Sequence, residues 1–495
     1  MENGLGMAHE AMGEAEAALA AYARAGEVRP SYAEAFYNQG NALLALGRAA
    51  EAVRAYDRAL ALRPDFVVAL TNRGNALLAL GKADAALASY DRARELQPGA
   101  AGHWTNRATA LSQLGRAEEA LVAHERAVAL APANADARFG LGMALLEAGR
   151  GAAAEAEFAT VLARVPAHPG ARFGLALVRL AARDFARGWP DYEERWNHAA
   201  FLDGAAAGAH ARYALRPDRA ALRGRQVVVV REQGVGDEVM FASILPDLLR
   251  DAAHVAYVGD ARLTRLFAAS FPGLEVSDPA RFPTAGLEAV EVVLPVGSLA
   301  HAYRRDEAAF PALPYLRASA DAAARWRAEL GAGEGRLRVG LSWRGGTART
   351  RQASRSVALA ALAPILAVPG CDFVSLQYGD VAEEVARCPE AAALRVFPRA
   401  AIEDFDDLAG LIGALDVVIS VQNTLVHLAG ALGVPCLALL PGNPEWRYGH
   451  TGARMPWYAS VRLLRQAAPG AWCGVIADAA ARLQAAARAG RYEHA

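Results

Sequence analysis

The hydrophobic and polar positions of this chain keep two different rhythms, one up to about residue 196 and another from Leu222 onward. In the first stretch, turn-forming residues fall into columns with a fixed step of 34 residues: Pro30, Pro64, Pro98, Pro132 and Pro166, and Gly13, Gly47, Gly81, Gly115 and Gly149. A small-residue column runs through Ala52, Ala86, Ala120 and Ala154, and a ring column through Tyr56, Tyr90, His124 and Phe158. In the second stretch, short unbroken apolar runs alternate with amphipathic ones, which predicts strands and helices in turn. Strands are expected at 227–230, 255–258, 290–294, 337–343, 373–376, 394–397, 416–420 and 436–440. A helix with Val239, Met240, Ile244, Leu245, Leu248 and Leu249 on its apolar side follows the first of these, and a closing helix starts near Gly474.

The second stretch is organised around 415–448, LDVVISVQNTLVHLAGALGVPCLALLPGNPEWRY. A buried strand there passes through the polar turn Gln422-Asn423-Thr424 into a helix carrying His427, then through Gly433 and Pro435 into a second strand. That is a βαβ unit, and parallel sheets place ligands beyond the carboxyl ends of their strands. A helix start at that edge offers unpaired N–H groups and a positive dipole end, so this turn is expected to hold the diphosphate of a sugar nucleotide.

The 34-residue columns of the first stretch are those of tetratricopeptide (TPR) repeats, in which paired antiparallel helices pack small residues against rings. Four full repeats run over 33–168, with a partial one before Pro30 and a degenerate one reaching about Trp196. Stacked units make a superhelix whose concave face binds peptides or other chains. Asn38, Asn72 and Asn106 recur on the first helix of three repeats. A row of amides can pair with an extended peptide backbone, and asparagine is equally an ordinary consensus residue at this position. The segment ARDFARGWPDYEERWNH (182–198) brings Trp189, Tyr192 and Trp196 together as a cap, and the Ala/Gly-rich 199–208 reads as a connector.

Composition narrows the classes. A chain of 495 residues, 54% hydrophobic and 21% charged, is that of a folded soluble protein of roughly three domains. A net charge of −1 gives no purchase on nucleic acid. The first twenty residues are acidic where a signal peptide is basic, and no apolar run reaches a membrane span, so a cytoplasmic location is expected. Cys371, Cys388, Cys436 and Cys473 have no close pairing and read as reduced thiols. No His, Asp, Glu or Cys cluster has metal-ligand spacing, so neither a metal nor a cofactor is expected.

The loop Glu232-Gln233-Gly234-Val235-Gly236-Asp237 lacks the full dinucleotide fingerprint, which argues against NAD. Asp237 has two readings: a base that takes a proton from an acceptor hydroxyl, or the N-cap of the helix that follows. In LSWRGGTARTRQASRS (341–356), Arg344, Arg349, Arg351 and Arg355 share one loop, either as a solvated charge run or as phosphate ligands. His427, in the first turns of its helix, is either structural or a phosphate contact.

With these residues in place, the chain resembles bacterial proteins in which a TPR array is fused to a glycosyltransferase of the GT-B type with a heptosyltransferase-like catalytic region. The motifs carrying the resemblance are GWPDYEERW (188–196), EQGVGD (232–237), VGLSWRGG (339–346), Arg355-Ser356, SLQ (375–377), HLAGALG (427–433), PEWRYG (444–449) and MPWYASVRLLRQ (455–466). The resemblance implies a TPR α-solenoid followed by a GT-B pair of Rossmann-like domains: 1–198 repeats with a capping segment, 199–221 connector, 222–330 acceptor-side half and 331–495 nucleotide-sugar half. It implies inverting transfer, with Asp237 as base and Arg344, Arg355, Gln377, Gln422, Asn423, Thr424 and His427 around the donor. It is also similar to O-linked transferases that read protein acceptors through a TPR superhelix, which puts Asn38, Asn72 and Asn106 along an acceptor peptide. Heptosyltransferases have Asp-Thr-Gly ahead of the histidine, where this chain has Gln422-Asn423-Thr424, and that variant is similar to relatives that modify flagellin. A lipid-linked or polysaccharide acceptor, and a non-catalytic TPR scaffold, are the two alternatives.

Overall fold

A computed structural model describes residues 1–197, 216–277, 290–331, 335–346 and 352–492. It divides into two compact units, 1–174 and 175–495.

The first unit is a TPR solenoid of helical pairs: α1 (Glu2–Ala11) with α2 (Ala15–Val28), α3 (Ala33–Ala45) with α4 (Ala49–Leu62), and α5 (Val67–Ala79) with α6 (Ala83–Leu96). The series continues with α7 (Ala101–Gln113) and α8 (Ala117–Leu130), then α9 (Ala135–Glu147) and α10 (Gly151–Arg164). Every glycine of the 34-residue column turns the chain between paired helices at positive φ, from +72° to +77°, where a side chain would be strained. The alanine and ring columns are the buried seam, and the ring hydroxyls are tied down as well. Tyr56 donates to Asn41 Oδ1 (2.8 Å) and Tyr90 to Asn75 Oδ1 (2.7 Å).

Helix α11 (Pro169–Ala181) straddles the boundary, and α12 (Phe185–Tyr192) lies wholly in the second unit. The Trp189, Tyr192 and Trp196 cluster expected to cap the repeats is therefore built into the α/β unit instead. Trp189 packs against Phe241, Trp446 and Trp457 and donates its indole N–H to Arg304 O (2.7 Å).

The second unit holds two sheets. The first comprises β1 (Gln226–Val230), β2 (His254–Val258), β3 (Leu274–Ser277) and β4 (Val292–Pro295), all parallel in the order β3-β2-β1-β4. The second comprises β5 (Leu337–Ser342), β6 (Cys371–Ser375), β7 (Val417–Val421), β8 (Cys436–Leu440), β9 (Arg454–Met455) and β10 (Tyr458–Arg465), in the order β6-β5-β7-β8-β10-β9. Among the described residues only the short β9 runs antiparallel.

Three expectations change. Residues 394–397 form no strand: a single bridge joins Arg395 to Val374 before Pro398, which has no N–H to extend a ladder. The helix after β1 is broken into α13 (Val235–Phe241), a 3-10 turn and a further helix (Leu245–Asp251), because Pro246 cannot continue the hydrogen-bond series. The helix Ala320–Leu330, placed with the first half by the 222–330 boundary, packs on the second sheet's side, with Trp326 against Phe397 and the Ser319 hydroxyl donating to Asp406 (2.6 Å). The connector at 199–208, Arg349 and Arg351 lie outside the described residues.

Candidate functional site

In the second sheet the chain leaves β5 for β6 on one side and returns to β7 on the other, so the crevice for a ligand lies beyond the ends of β5 and β7. Two turns meet there. Gly345, after β5, sits so close to the turn after β7 that an added Cβ would lie 2.7 Å from Gln422 O. Asn423 is the N-cap of α14 (Thr424–Leu432): its Oδ1 accepts from the Leu425 N–H (2.9 Å) and from Ser420 Oγ (3.0 Å). Its Nδ2 donates to Ser342 Oγ (2.9 Å) and to Arg344 O (3.2 Å). An amide here can both accept from the helix N–H and donate to the Arg344 carbonyl, so Asn423 is explained by the junction it ties. Gln377 serves the same junction, its Oε1 accepting from the Trp343 N–H (2.9 Å), the Arg344 N–H (2.8 Å) and Ser342 Oγ (3.1 Å).

A cavity of about 660 Å³ opens at this edge. Arg344, Gln377, Asn423 and Thr424 line it, with Val235 from the first sheet's side. Its apolar wall is Phe397, Ile402, Phe405 and Leu408, and its charged lining includes Arg262, paired with Asp260 (2.8 Å), Arg399, paired with Glu403 (3.3 Å), and Asp380. Tyr378, 65% exposed, stands at the cavity with the Arg399 guanidinium 5.2 Å from its ring centre.

The other expected donor residues lie elsewhere. Arg355 is buried, donating to Glu445 Oε1 (2.9 Å) and to Gln422 O (3.3 Å), and the Gln422 side chain accepts from the Glu445 N–H (3.4 Å). His427 does not face the cavity: four residues past the cap, it turns inward between the hydroxyls of Tyr458 (3.2 Å from Nδ1) and Tyr448 (3.3 Å from Nε2). Burial, and then Arg447 and Arg355, hold its pKa well below the usual value, so the ring is neutral. The Tyr315 hydroxyl continues this chain, lying 3.3 Å from Tyr458 and donating to Val239 O on α13 (2.7 Å).

Asp237 is the third residue of α13 rather than its N-cap. Gly234 holds the cap position, and its N–H donates to Asp237 Oδ2 (3.3 Å). The other carboxylate oxygen accepts from Arg447 Nη2. Burial pushes the Asp237 pKa up, and Arg447 pulls it partly back. Next to it, Gly236 rests on α14, where an added Cβ would lie 3.2 Å from Thr424 Oγ1. Arg447 carries no signal of periodicity or spacing; the PEWRYG motif contains it, and its place in the loop after β8 is the signal that could have singled it out.

The matching crevice of the first sheet, beyond β1 and β4, is filled by the protein itself. Arg195 donates to both oxygens of Glu232 (2.7 and 2.9 Å), to Glu193 (3.0 Å) and to Ser298 Oγ (3.0 Å), all fully buried or nearly so. In the repeats, Asn38 donates to Asn3 Oδ1 (3.1 Å) and Asn72 to Asn41 Oδ1 (2.9 Å). Asn106 is half-buried, and its side chain makes no hydrogen bond among the described residues. Among those residues no group of three or more His, Cys, Asp or Glu could hold a metal ion, and no helix is long and apolar enough to cross a membrane.

Models described as TPR repeat or tetratricopeptide repeat match residues 40–81, 71–135 and 111–172. Over 313 residues the chain is 30% identical to protein FlbA of Caulobacter vibrioides, covering 60% of this chain and 52% of that one. The chain thus spans about half the length of the curated relative it matches. Similar solved structures include MamA (20% identity, 33% of this chain and 95% of that chain, TM-score 0.31). Another is YrrB, described as a TPR protein with an unusual peptide-binding site (23%, 38% and 96%, 0.30). A third, from Thermus thermophilus, is described as a thermophilic TPR protein (25%, 36% and 97%, 0.31).

Proposed function

We propose that this chain is a glycosyltransferase of the GT-B type, which moves a sugar from a nucleotide donor to a Ser or Thr hydroxyl of a polypeptide held by the TPR array. The observation that carries this reading is the cavity beyond β5, β6 and β7, with rings on one wall and Arg344 and the start of α14 on another. A nucleoside base requires the first and a diphosphate the second. The helix end adds only about 0.3–1 kcal/mol toward an anion. A charge-assisted hydrogen bond from Arg344 adds about 1.5–3 kcal/mol, so the arginine outweighs the helix in holding the diphosphate.

In the transfer, the bond between the anomeric carbon and the diphosphate oxygen breaks and its electron pair leaves with the nucleoside diphosphate. The acceptor oxygen forms the new bond from the opposite face, inverting the centre, and its proton passes to Asp237. The filled crevice of the first sheet favours the second sheet as the donor side, since Arg195 and Glu232 already occupy the equivalent space. The sequence resemblance makes flagellin the first polypeptide to try.

Incubation of the full chain with UDP-, GDP- and ADP-sugars and cell extract should label a polypeptide with one of them, and label from a CMP-sugar, which releases a monophosphate, removes the diphosphate assignment. Label found only on lipid or polysaccharide removes the acceptor assignment. A second reading, a TPR scaffold without catalysis, is favoured by the enclosure of His427 and the pairing of Asp237 with Arg447. Under that reading no sugar nucleotide binds in calorimetry.

A further inference from the structure

One ion pair that the transfer chemistry leaves unexplained joins the carboxyl edges of the two sheets. Arg447, in the loop after β8, donates from Nη2 to Asp237 on α13, while its Nη1 stands 3.9 Å from Glu445 Oε2. Both side chains are nearly buried, 11% and 14% exposed, and Arg447 Nε is buried with no hydrogen-bond partner among the described residues. The pair lies beside the start of α14, because Gly236 is seated on Thr424, and both Thr424 and Val235 line the cavity.

We propose that the Asp237–Arg447 pair is a latch opened by the donor, Arg447 passing from the carboxylate to the diphosphate and Asp237 becoming the free base. This rests on the donor reading given above. A guanidinium presents five donors in a planar fork that fits phosphate as well as carboxylate, and a diphosphate brings more charge than one carboxylate. While the pair is closed, the arginine stabilises the ionised carboxylate and makes it a weak base. Once Arg447 is taken, Asp237 keeps its burial and the neighbouring carboxylates Glu445, from the same loop, and Glu232, from the loop after β1. Tyr192 of α12, which feels the carboxylate, and the neutral ring of His427 on α14, beside Gly236, supply no positive charge. The freed carboxylate then holds a proton more tightly, which is what an acceptor hydroxyl requires of its base. Donor therefore binds before acceptor, and an acceptor alone meets a base held in check.

Calorimetry on the full chain tests this with inorganic pyrophosphate, UDP, GDP and ADP, each in buffers of different ionisation enthalpy. In acidic buffers, where the freed carboxylate titrates, binding should take up protons in the wild type; that uptake should fade as pH rises, leaving Asp237 ionised as the base, and should vanish at every pH in Asp237→Asn. Arg447→Gln should weaken binding by roughly 10- to 100-fold, with part of the loss restored by Arg447→Lys. Because Arg447→Gln leaves a buried carboxylate without its cation, the double variant Asp237→Asn/Arg447→Gln guards against simple misfolding and should bind as weakly as Arg447→Gln. Nucleotide binding that ignores Arg447 and moves no proton overturns the latch while the donor reading stands. Failure of pyrophosphate and every nucleotide to bind the wild type overturns both.

Discussion

Glu238 follows Asp237 on α13 and is fully buried, accepting from the Tyr257 hydroxyl (2.9 Å) and the Asp260 N–H (3.0 Å). Burial pushes its pKa from 4.5 up to about 7, against the smaller opposing pull of those hydrogen bonds and of Arg231. The folded state thus holds this proton more tightly than the unfolded one. Its contribution to stability is full below about pH 4.5 and is lost as pH rises through about 7. On the order of 3 kcal/mol depends on that titration. Glu238→Gln should flatten this part of the pH dependence, so urea midpoints of wild type and variant should diverge between about pH 5 and about pH 8, in the variant's favour at the higher pH. A constant difference between the two would remove the assignment. At this scale the sequence is legible where a residue type answers a backbone need, as Asn423 does at a helix start. It marks His427 and the PEWRYG segment that holds Arg447 without saying what they touch, because their meaning comes from partners far away in the chain: Asp237 for Arg447, Tyr448 and Tyr458 for His427.

Elements are most legible where an apolar run is unbroken. The strand expected at 436–440 is β8, residue for residue, because all five positions are buried and no polar residue interrupts them. β10 is hidden in the sequence because Arg462 and Arg465 break its apolar run, and β3 because its four residues include Glu275 and Ser277. The turns that join these strands carry the tightest constraint. At Gly345 an added Cβ would press on the Gln422 carbonyl at 2.7 Å and the Arg355 carbonyl at 3.1 Å, and the Gln422 carbonyl is also held by the Arg355 guanidinium. Backbone cannot move aside as a side chain can, so Gly345→Ala should cost about 1–3 kcal/mol and lower any nucleotide affinity of the cavity. Gly474 gives the opposite case, since it lies inside the helix Trp472–Ala489 with nothing within 4 Å of an added Cβ. Gly474→Ala should stabilise by about 0.5–1 kcal/mol. Denaturation midpoints of the two variants should move in opposite directions: an unchanged or raised midpoint for Gly345→Ala would show that the close approach at Gly345 is not maintained in solution, and a lowered one for Gly474→Ala would overturn the helix argument.

At the scale of the whole chain, the 34-residue ruler makes the repeats plain, and it stops being a guide where it ends. Past Pro166 the helical pattern continues without the columns, so 175–197 looks like more of the solenoid, although those residues belong with the sheets. What joins them there is a buried charge that no periodicity encodes: Arg195 is enclosed with Glu232 after β1 and Ser298 after β4. Removing one partner of a buried ion pair costs about 3–5 kcal/mol, comparable to much of a domain's net stability. The place of a truncation therefore decides its outcome. A chain starting at Pro169 keeps α11 and α12 whole, together with Arg195 and Trp189, and should fold with a cooperative transition and retain whatever nucleotide binding the full chain has. A chain starting at residue 199, the boundary the sequence suggests, leaves Glu232 buried without its cation and strips Trp189 from Trp446 and Trp457. It should be insoluble or lack a cooperative transition by circular dichroism. Adding Glu232→Gln to that shorter chain should recover only part of the loss, since the amide removes the stranded charge but not the missing aromatic packing. Equal stability of the two truncations would mean that Arg195 and Trp189 do not hold the α/β unit together.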